Sequence, residues 1–334
     1  MIIRFEGKAL ELRAGETVLD GLERHGARVP SLCRKGVCQA CVLKATRGAL
    51  PALSQKGLKD SLRVQSFFLS CVCTPGEELD VERAEAAALF STHVESLELI
   101  GPGVLRVGLA LPPGFEHEAG QFVQLERPSD GLMRPYSIAS LPGVGVSRLE
   151  LHVALLSGGA MSGWLQTALG ASVAVRGPFG GCFYVPGELD RPLLLAGTGT
   201  GLAPLLGVVR AALRAGHRGP IHLYHGAANA AGLYLWDELR ALLVEAPQLR
   251  LTGSVLDGRE SASSGSPMLA GCRLFAAPLD QVVLDDRVPM ADCRVYLCGH
   301  PELVRKLEKK LYLAGAALAR IHADPFLPPL ARAS

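Results

Sequence analysis

The chain has 334 residues, 49% of them hydrophobic, and its 34 Lys plus Arg against 32 Asp plus Glu leave a net charge of +2. That length exceeds one ordinary core and implies two or three domains. The near-neutral balance, with no dense basic block, argues against nucleic acid as a partner.

The N-terminal "MIIRFEGKALELRAGETVL" has charges at short intervals and no apolar run before a small-residue cleavage site, so it reads as strand, turn and strand and not as a signal peptide. An amphipathic helix with Val18, Leu19 and Leu22 follows, and then "CRKGVCQAC" places Cys33, Cys38 and Cys41 within nine positions. Nine cysteines without a targeting segment point to a reducing cytoplasm, where disulfides do not persist, and an odd total leaves one unpaired. Zinc sites usually combine two close couples, and a thioredoxin-type CxxC leaves Cys33 unexplained. The spacing C-x4-C-x2-C with a distant further cysteine is that of plant-type [2Fe–2S] ligands. A loop carrying three thiolates must curl tightly, and Gly36 supplies the backbone freedom, while N–H groups of such a loop can point at the sulfurs. Cys71 and Cys73 in "FLSCVCTP" both offer a fourth thiol. Arg34 and Lys35 inside the loop are expected near the electron exit, where they would dock an acidic acceptor.

In its order of turn, helix and cysteine loop, the segment 1–82 resembles a plant-type ferredoxin domain, which implies a β-grasp fold. The resemblance implies Cys71, directly after "FLS", as the fourth ligand beside Cys33, Cys38 and Cys41, and leaves Cys73 as a core residue. Cys182, Cys272 and Cys293 carry no motif and are expected to pack.

"VERAEAAALF" at 81–90 reads as a linker or connecting helix, with the linker placed at 83–91. Alternating runs with Gly/Pro turns follow, the pattern of an antiparallel β-barrel. In "RPYS", Arg134 offers a fork for phosphate, Tyr136 a ring face and Ser137 a hydroxyl. "GGAMSGWL" opens an apolar-periodic run (Met161, Trp164, Leu165, Ala168, Leu169), either an anion-binding helix start or an ordinary Ser-capped helix.

The stretch "PLLLAGTGTGLAPLLGVVRAAL" at 192–213 is broken by Gly, Thr and Pro and holds Arg210, so it reads as strand, turn and helix rather than as a membrane span. Pro204 in the first turn and Gly216 as the stop frame that helix. It is not the G-x-G-x-x-G fingerprint, because Pro204 takes the last position. The strands "IHLYHG", "LRLTGSV" and "RVYLCG" alternate with the helices "GLYLWDELRALLVEA" and "PELVRKLEKKLYLAG", which implies a parallel α/β sheet. Residues 257–270 read as a polar loop with no functional signal.

The succession "RPYS", "LELHVALL", "GGAMS", "VRGPFG" resembles the flavin domain of the ferredoxin–NADP reductase superfamily. That resemblance implies FAD bound within 92–187, with Arg134, Pro135, Tyr136 and Ser137 along the flavin. It places His152, Val153 and Ala154 on the strand between, and Gly159, Ala160, Met161 and Ser162 at the pyrophosphate. "GTGTGLAP" followed by "CGHP" is similar to the superfamily's nicotinamide pairing. This implies that 188–334 binds the nucleotide through Gly197, Thr198, Gly199, Thr200, Gly201, Pro204, Cys298, Gly299 and Pro301. By the same resemblance Cys298 lies near the nicotinamide, Ser137 near the flavin N5, and Phe326 covers the flavin ring with Asp324 as a polar neighbour. The "DPF" ending resembles the oxygenase-reductase branch. The turn "HGAANAAGLY" has neither Arg nor Lys for a 2′-phosphate nor an acid for a ribose, which favours NADH over NADPH. The expected whole is a cytoplasmic NADH-dependent reductase passing electrons through FAD and a [2Fe–2S] cluster to a partner protein, an oxygenase first. A deoxysugar-forming dehydratase is an alternative acceptor. An electron-transfer subunit like that of dihydroorotate dehydrogenase would carry its cluster cysteines last, and here they come first. A zinc-stabilised interaction module on an inactive nucleotide fold is the alternative that is not an enzyme.

Overall fold

The computed structural model describes residues 1–84, 88–143, 147–257 and 271–326. The chain divides into two units, Met1–Ala86 and Ala87–Ser334.

The first unit runs β1 (Ile2–Phe5), β2 (Lys8–Glu11), α1 (Val18–Arg24), β3 (Val42–Arg47), α2 (Asp60–Val64), β4 (Phe67–Leu69) and β5 (Leu79–Arg83). The sheet order is β2-β1-β5-β3-β4, with β1 antiparallel to β2 and parallel to β5. This is the expected β-grasp. Helix α1 starts where the Thr17 hydroxyl accepts from the Asp20 N–H at 3.2 Å. Its apolar face, Val18, Leu19 and Leu22, is buried in the core with Ile3, Phe68 and Leu79. That burial, more than the propensity of a seven-residue helix, holds α1 in place.

The second unit begins with β6 (Leu89–Gly101), β7 (Val104–Ala110), β8 (Phe122–Arg127), β9 (Leu132–Ser137), β10 (Arg148–Ala154), α3 (Ala160–Leu165) and β11 (Ser172–Phe179). These strands pair antiparallel, in the order β10-β7-β6-β11-β8-β9. A bridge from Ile138 to Leu151 brings β9 back to β10 and closes the barrel. Pro135 is tolerated in β9 because that strand is last in the ladder order, where a missing N–H costs little.

The same unit continues with β12 (Leu193–Thr198), α4 (Leu202–Arg214), β13 (Ile221–Ala227), α5 (Trp236–Glu245), β14 (Leu249–Val255), β15 (Cys272–Ala276), α6 (Leu279–Asp285), β16 (Arg294–Gly299), α7 (Pro301–Leu313) and β17 (Ile321–Pro325). These six strands form one parallel sheet, β15-β14-β13-β12-β16-β17. Covered on both faces, its central strands are continuous apolar runs such as Leu193–Gly197, all buried. Helix α4 backs directly onto the barrel. A Cβ on Gly207 would lie 2.9 Å from the Gly120 nitrogen and 3.0 Å from the Ile138 carbonyl, so only glycine fits.

Three expectations change. Val81–Arg83 and Leu89–Phe90 are strand, not part of a connecting helix, and residues 85–87 between them lie outside the described residues. Helix α3 stops at Leu165 although the apolar period runs on, and Leu169 is 65% exposed. Helix α5 starts at Trp236 because Leu235 takes a left-handed φ of 57°. Most of the polar loop 257–270 also lies outside the described residues. Among the described residues no helix is long and apolar enough to cross a membrane.

Candidate functional site

The cysteine loop between α1 and β3 and the turn after β4 together bring two sulfur pairs close. The Cys38 N–H lies 3.3 Å from the Cys33 sulfur, and the Cys33 N–H lies 3.5 Å from the Cys38 sulfur. The N–H groups of Cys38, Lys35 and Val37 converge on Cys33 and pull its thiol down to about 6, so it is a thiolate at neutral pH. Cys41 and Cys71 form the second pair, tied together where the Ser70 hydroxyl donates to the Cys41 carbonyl at 2.8 Å. Burial and the neighbouring thiols Cys41 and Cys33 push Cys71 up to about 11, against a hydrogen bond from the Gly36 N–H. Gly36 has φ 71°, the left-handed turn that aims this N–H inward. Two pairs of sulfurs with N–H donors directed at them fit a two-iron cluster in which each iron takes two thiolates. Cys73 is fully buried with its thiol toward Ser54, apart from that set. The Arg34 guanidinium is held by Asp20 at 2.9 Å and Glu23 at 2.5 Å. The Arg34 charge expected to meet an acidic partner is therefore shared with two acids of α1.

In the barrel, β9 lines up Arg134, Pro135, Tyr136 and Ser137, with Tyr136 half-buried and Ser137 buried. Burial raises the Tyr136 phenol to about 12, against the pull of Arg134, so it stays neutral and can offer a ring face and an O–H. Ser162 closes the loop before α3, accepting from the Leu156 N–H at 3.2 Å and donating to the Gly159 carbonyl at 3.3 Å. Gly159 is the N-cap of a six-residue helix that starts at Ala160. Val153 and Met161 turn their side chains into the barrel core, which leaves only their backbone for a ligand. The side chain of Ala154 is half-buried. His152 is also buried. Its ring joins Glu150 at 2.8 Å and Tyr234 at 3.0 Å.

The carboxyl ends of β12, β16 and β17 meet at one edge of the parallel sheet, the place where such sheets bind ligands. Gly197 and Cys298 face each other across β12 and β16, and Cys298 faces Asp324 across β16 and β17. A Cβ on Gly201 would lie 2.6 Å from the Cys298 carbonyl, and one on Gly299 would lie 2.7 Å from the Thr198 carbonyl. The two turns therefore touch backbone to backbone, and the Thr198 hydroxyl accepts from the His300 N–H at 3.2 Å. Gly199 stands exposed at the tip, with Thr200 partly covered and Pro204 buried inside α4. Pro301 opens α7. Phe326, half-buried, is tied to the same edge by its N–H on the Gly299 carbonyl at 2.8 Å.

Several residues here escaped the sequence. Cys182, expected to be only packing, has its sulfur 3.3 Å from that of Cys298. Burial, then Cys182 and Asp324, raise the Cys298 thiol well above its ordinary range, so it is a neutral thiol at this edge. Burial raises the Asp324 carboxyl to about 6. Burial would also raise Glu150, but His152, Arg210 and Arg106 outweigh it and bring its carboxyl down to about 2.

Residues 3–76 match the 2Fe-2S iron-sulfur cluster binding domain, 92–184 the oxidoreductase FAD-binding domain and 195–309 the oxidoreductase NAD-binding domain. The reductase subunit of an aromatic O-demethylase from Amycolatopsis sp. is 31% identical over 338 residues, covering 96% of this chain and 97% of the relative. The chain belongs to the ferredoxin–NADP reductase superfamily, in its oxygenase-reductase branch. A second relative of this branch is the ferredoxin–NAD(P)(+) reductase component of the naphthalene 1,2-dioxygenase/salicylate 5-hydroxylase systems of Ralstonia sp. It is 27% identical over 328 residues, 96% of each chain. The crystal structure of the Amycolatopsis cytochrome P450 reductase GcoB superposes with a TM-score of 0.64 at 28% identity, over 98% of this chain and 99% of that one. As a reductase of this branch, the chain is an oxidoreductase with domains for a [2Fe–2S] cluster, FAD and a nicotinamide nucleotide.

Proposed function

We propose that this reductase takes electrons from NADH through FAD and its [2Fe–2S] cluster and delivers them one at a time to the oxygenase component of a multicomponent system in the cytoplasm. The observation that carries this reading is the presence, in one chain, of a two-pair thiol loop and of barrel and sheet sets that meet through Cys182 and Cys298. When bound, the flavin and cluster supply the conversion of a two-electron donor into single electrons.

The residues divide the work as follows. Cys33 and Cys38 as one pair and Cys41 and Cys71 as the other would hold the cluster. Arg134 and the segment Gly159–Ser162 would hold the flavin phosphates, Tyr136 would offer its ring and Ser137 its hydroxyl to the flavin. The turn Gly197–Gly201 and the start of α4 bind the nucleotide diphosphate with N–H donors. Cys298, kept neutral by burial, borders the nicotinamide without a charge that would compete with it. Phe326, tied by its N–H to the Gly299 carbonyl, would shield the flavin from water. The domains run 1–82, 92–187 and 188–334, and the linker expected at 83–91 is narrowed to residues 84–88 by the strands that end at Arg83 and begin at Leu89.

NADH is favoured over NADPH because the turn after β13 offers no Lys or Arg. Nine free thiols support a reducing compartment. The names of the relatives support an oxygenase as acceptor above a deoxysugar-forming dehydratase. A Cys41→Ser variant tests the order of transfer. It is expected to keep NADH-dependent bleaching of its flavin and to lose at least 100-fold in reduction of the oxygenase component, on the order of one removed redox link. Undiminished reduction of that component would place the cluster outside the path.

A further inference from the structure

The second unit contains a tyrosine that two sheets grip at once. Tyr234 lies in the turn between β13 and α5 and is 2% exposed. Its hydroxyl is 3.0 Å from His152 Nδ1 on barrel strand β10. His152 Nε2 sits 2.8 Å from the Glu150 carboxylate, which only accepts. Nε2 therefore carries the proton, and Nδ1 accepts from the Tyr234 O–H. Glu150 is held in turn by Arg210 of α4 at 3.1 Å. The Tyr234 ring meets His152 edge-on at 5.5 Å and His225 of β13 edge-on at 5.4 Å. His225 is fully buried and pairs in register with Gly197, at the root of the turn 197–201. On the barrel side, β6 ends in Gly101, where a Cβ would lie 2.5 Å from that of Tyr234. The next residue, Leu235, adopts φ 57°, a region leucine seldom occupies and holds only where the surroundings fix it.

We propose that Tyr234 is a positioning residue for hydride delivery, a wedge whose ring and hydroxyl set how the parallel sheet sits on the barrel. The inference rests on the function proposed above. The sheet carries Cys298 and the turn 197–201, the barrel carries Tyr136 and Ser137, and the reacting rings must meet between them. A shift of about 1 Å between such sets costs on the order of 100-fold in rate. Loosening the wedge therefore acts on the transfer step and not on nucleotide affinity, since Tyr234 itself is shut away from ligand.

The test uses the full-length, FAD-loaded protein and the variants Tyr234→Phe, which keeps the ring, and Gly101→Ala, which pushes on it from the barrel side. Anaerobic rapid mixing with NADH and with 4-deuterated NADH reads the limiting rate of flavin bleaching, its isotope effect and the long-wavelength charge-transfer absorbance of stacked rings. A melting curve accompanies each. Tyr234→Phe is expected to slow the limiting rate about tenfold with unchanged half-saturation by NADH, a changed isotope effect and weaker charge-transfer absorbance. Restoring a donor–acceptor group next to the tyrosine gives the second reading, with His152→Leu matching Tyr234→Phe and His152→Gln recovering most of the rate. Variants that melt lower but keep the parent limiting rate, isotope effect and absorbance overturn the proposal, leaving Tyr234 a purely structural residue. If NADH fails to bleach the flavin of the parent protein, the proposed function falls and the positioning role with it.

Discussion

Cys71 and Cys73 are two positions apart, yet their sulfurs meet different surroundings: Cys71 faces Cys41, and Cys73 faces Ser54. Cys71→Ala is therefore expected to abolish the reduced-cluster EPR signal and to lower bound iron below half of the parent's. Cys73→Ala keeps both and loses only core packing, about 1 kcal/mol of stability. Iron content with EPR separates the two, and the opposite result would exchange the ligand and the core residue. Asp324 supplies a second residue-level prediction. Burial raises its carboxyl from an ordinary 3.8 to about 6, so it is destabilised when ionised. Its contribution to stability is full below about 3.8 and lost as the pH rises through about 6. Asp324→Asn should melt a few degrees above the parent at pH 7, with no advantage at pH 4. An equal gain at both values would assign the effect to packing.

At the level of elements, α4 joins the nucleotide turn to the barrel. It begins at the turn 197–201, passes Gly207 against Gly120 and Ile138, and sends Arg210 to the Ala139 carbonyl at 3.1 Å. Gly207→Val forces a branched side chain into backbone, an overpacking of about 3 kcal/mol that should lower the melting temperature of the second unit by ~6–10 °C. A melting temperature within a degree of the parent's would show that α4 does not bear on the barrel as described. Helix α3 and the connecting segment show why element ends were harder to read than their existence. The apolar period past Leu165 continues in Ala168, which is buried in the barrel core, and Leu169, which is exposed, although the helix has ended. The segment "VERAEAAALF" has helical composition, although its ends pair as strands. In both, tertiary pairing overrides local preference.

Across the whole molecule, the features legible in the sequence were those written in local spacing. Three thiols and a glycine within nine positions, a glycine-rich turn after an apolar strand, and alternation in the barrel each state their chemistry locally. What was hidden depends on strands brought together from far apart. Cys182 and Cys298 are 116 positions apart and His152 and Tyr234 are 82 apart, and no spacing rule links them. Val153 and Met161 matched a binding pattern by position, but their side chains belong to the core, because the pattern marks backbone. Arg34 was expected to face an acidic partner, and α1 places Asp20 and Glu23 of its own chain beside it.

The central claim is that one chain carries electrons from NADH through flavin to a [2Fe–2S] cluster. The most direct test is an anaerobic visible and EPR spectrum of the purified protein before and after NADH. Bleaching of flavin and iron–sulfur bands together, with a rhombic reduced-cluster EPR signal, is the expected result. A colourless protein containing zinc, or a flavin that bleaches with no EPR signal from the cluster, would contradict it.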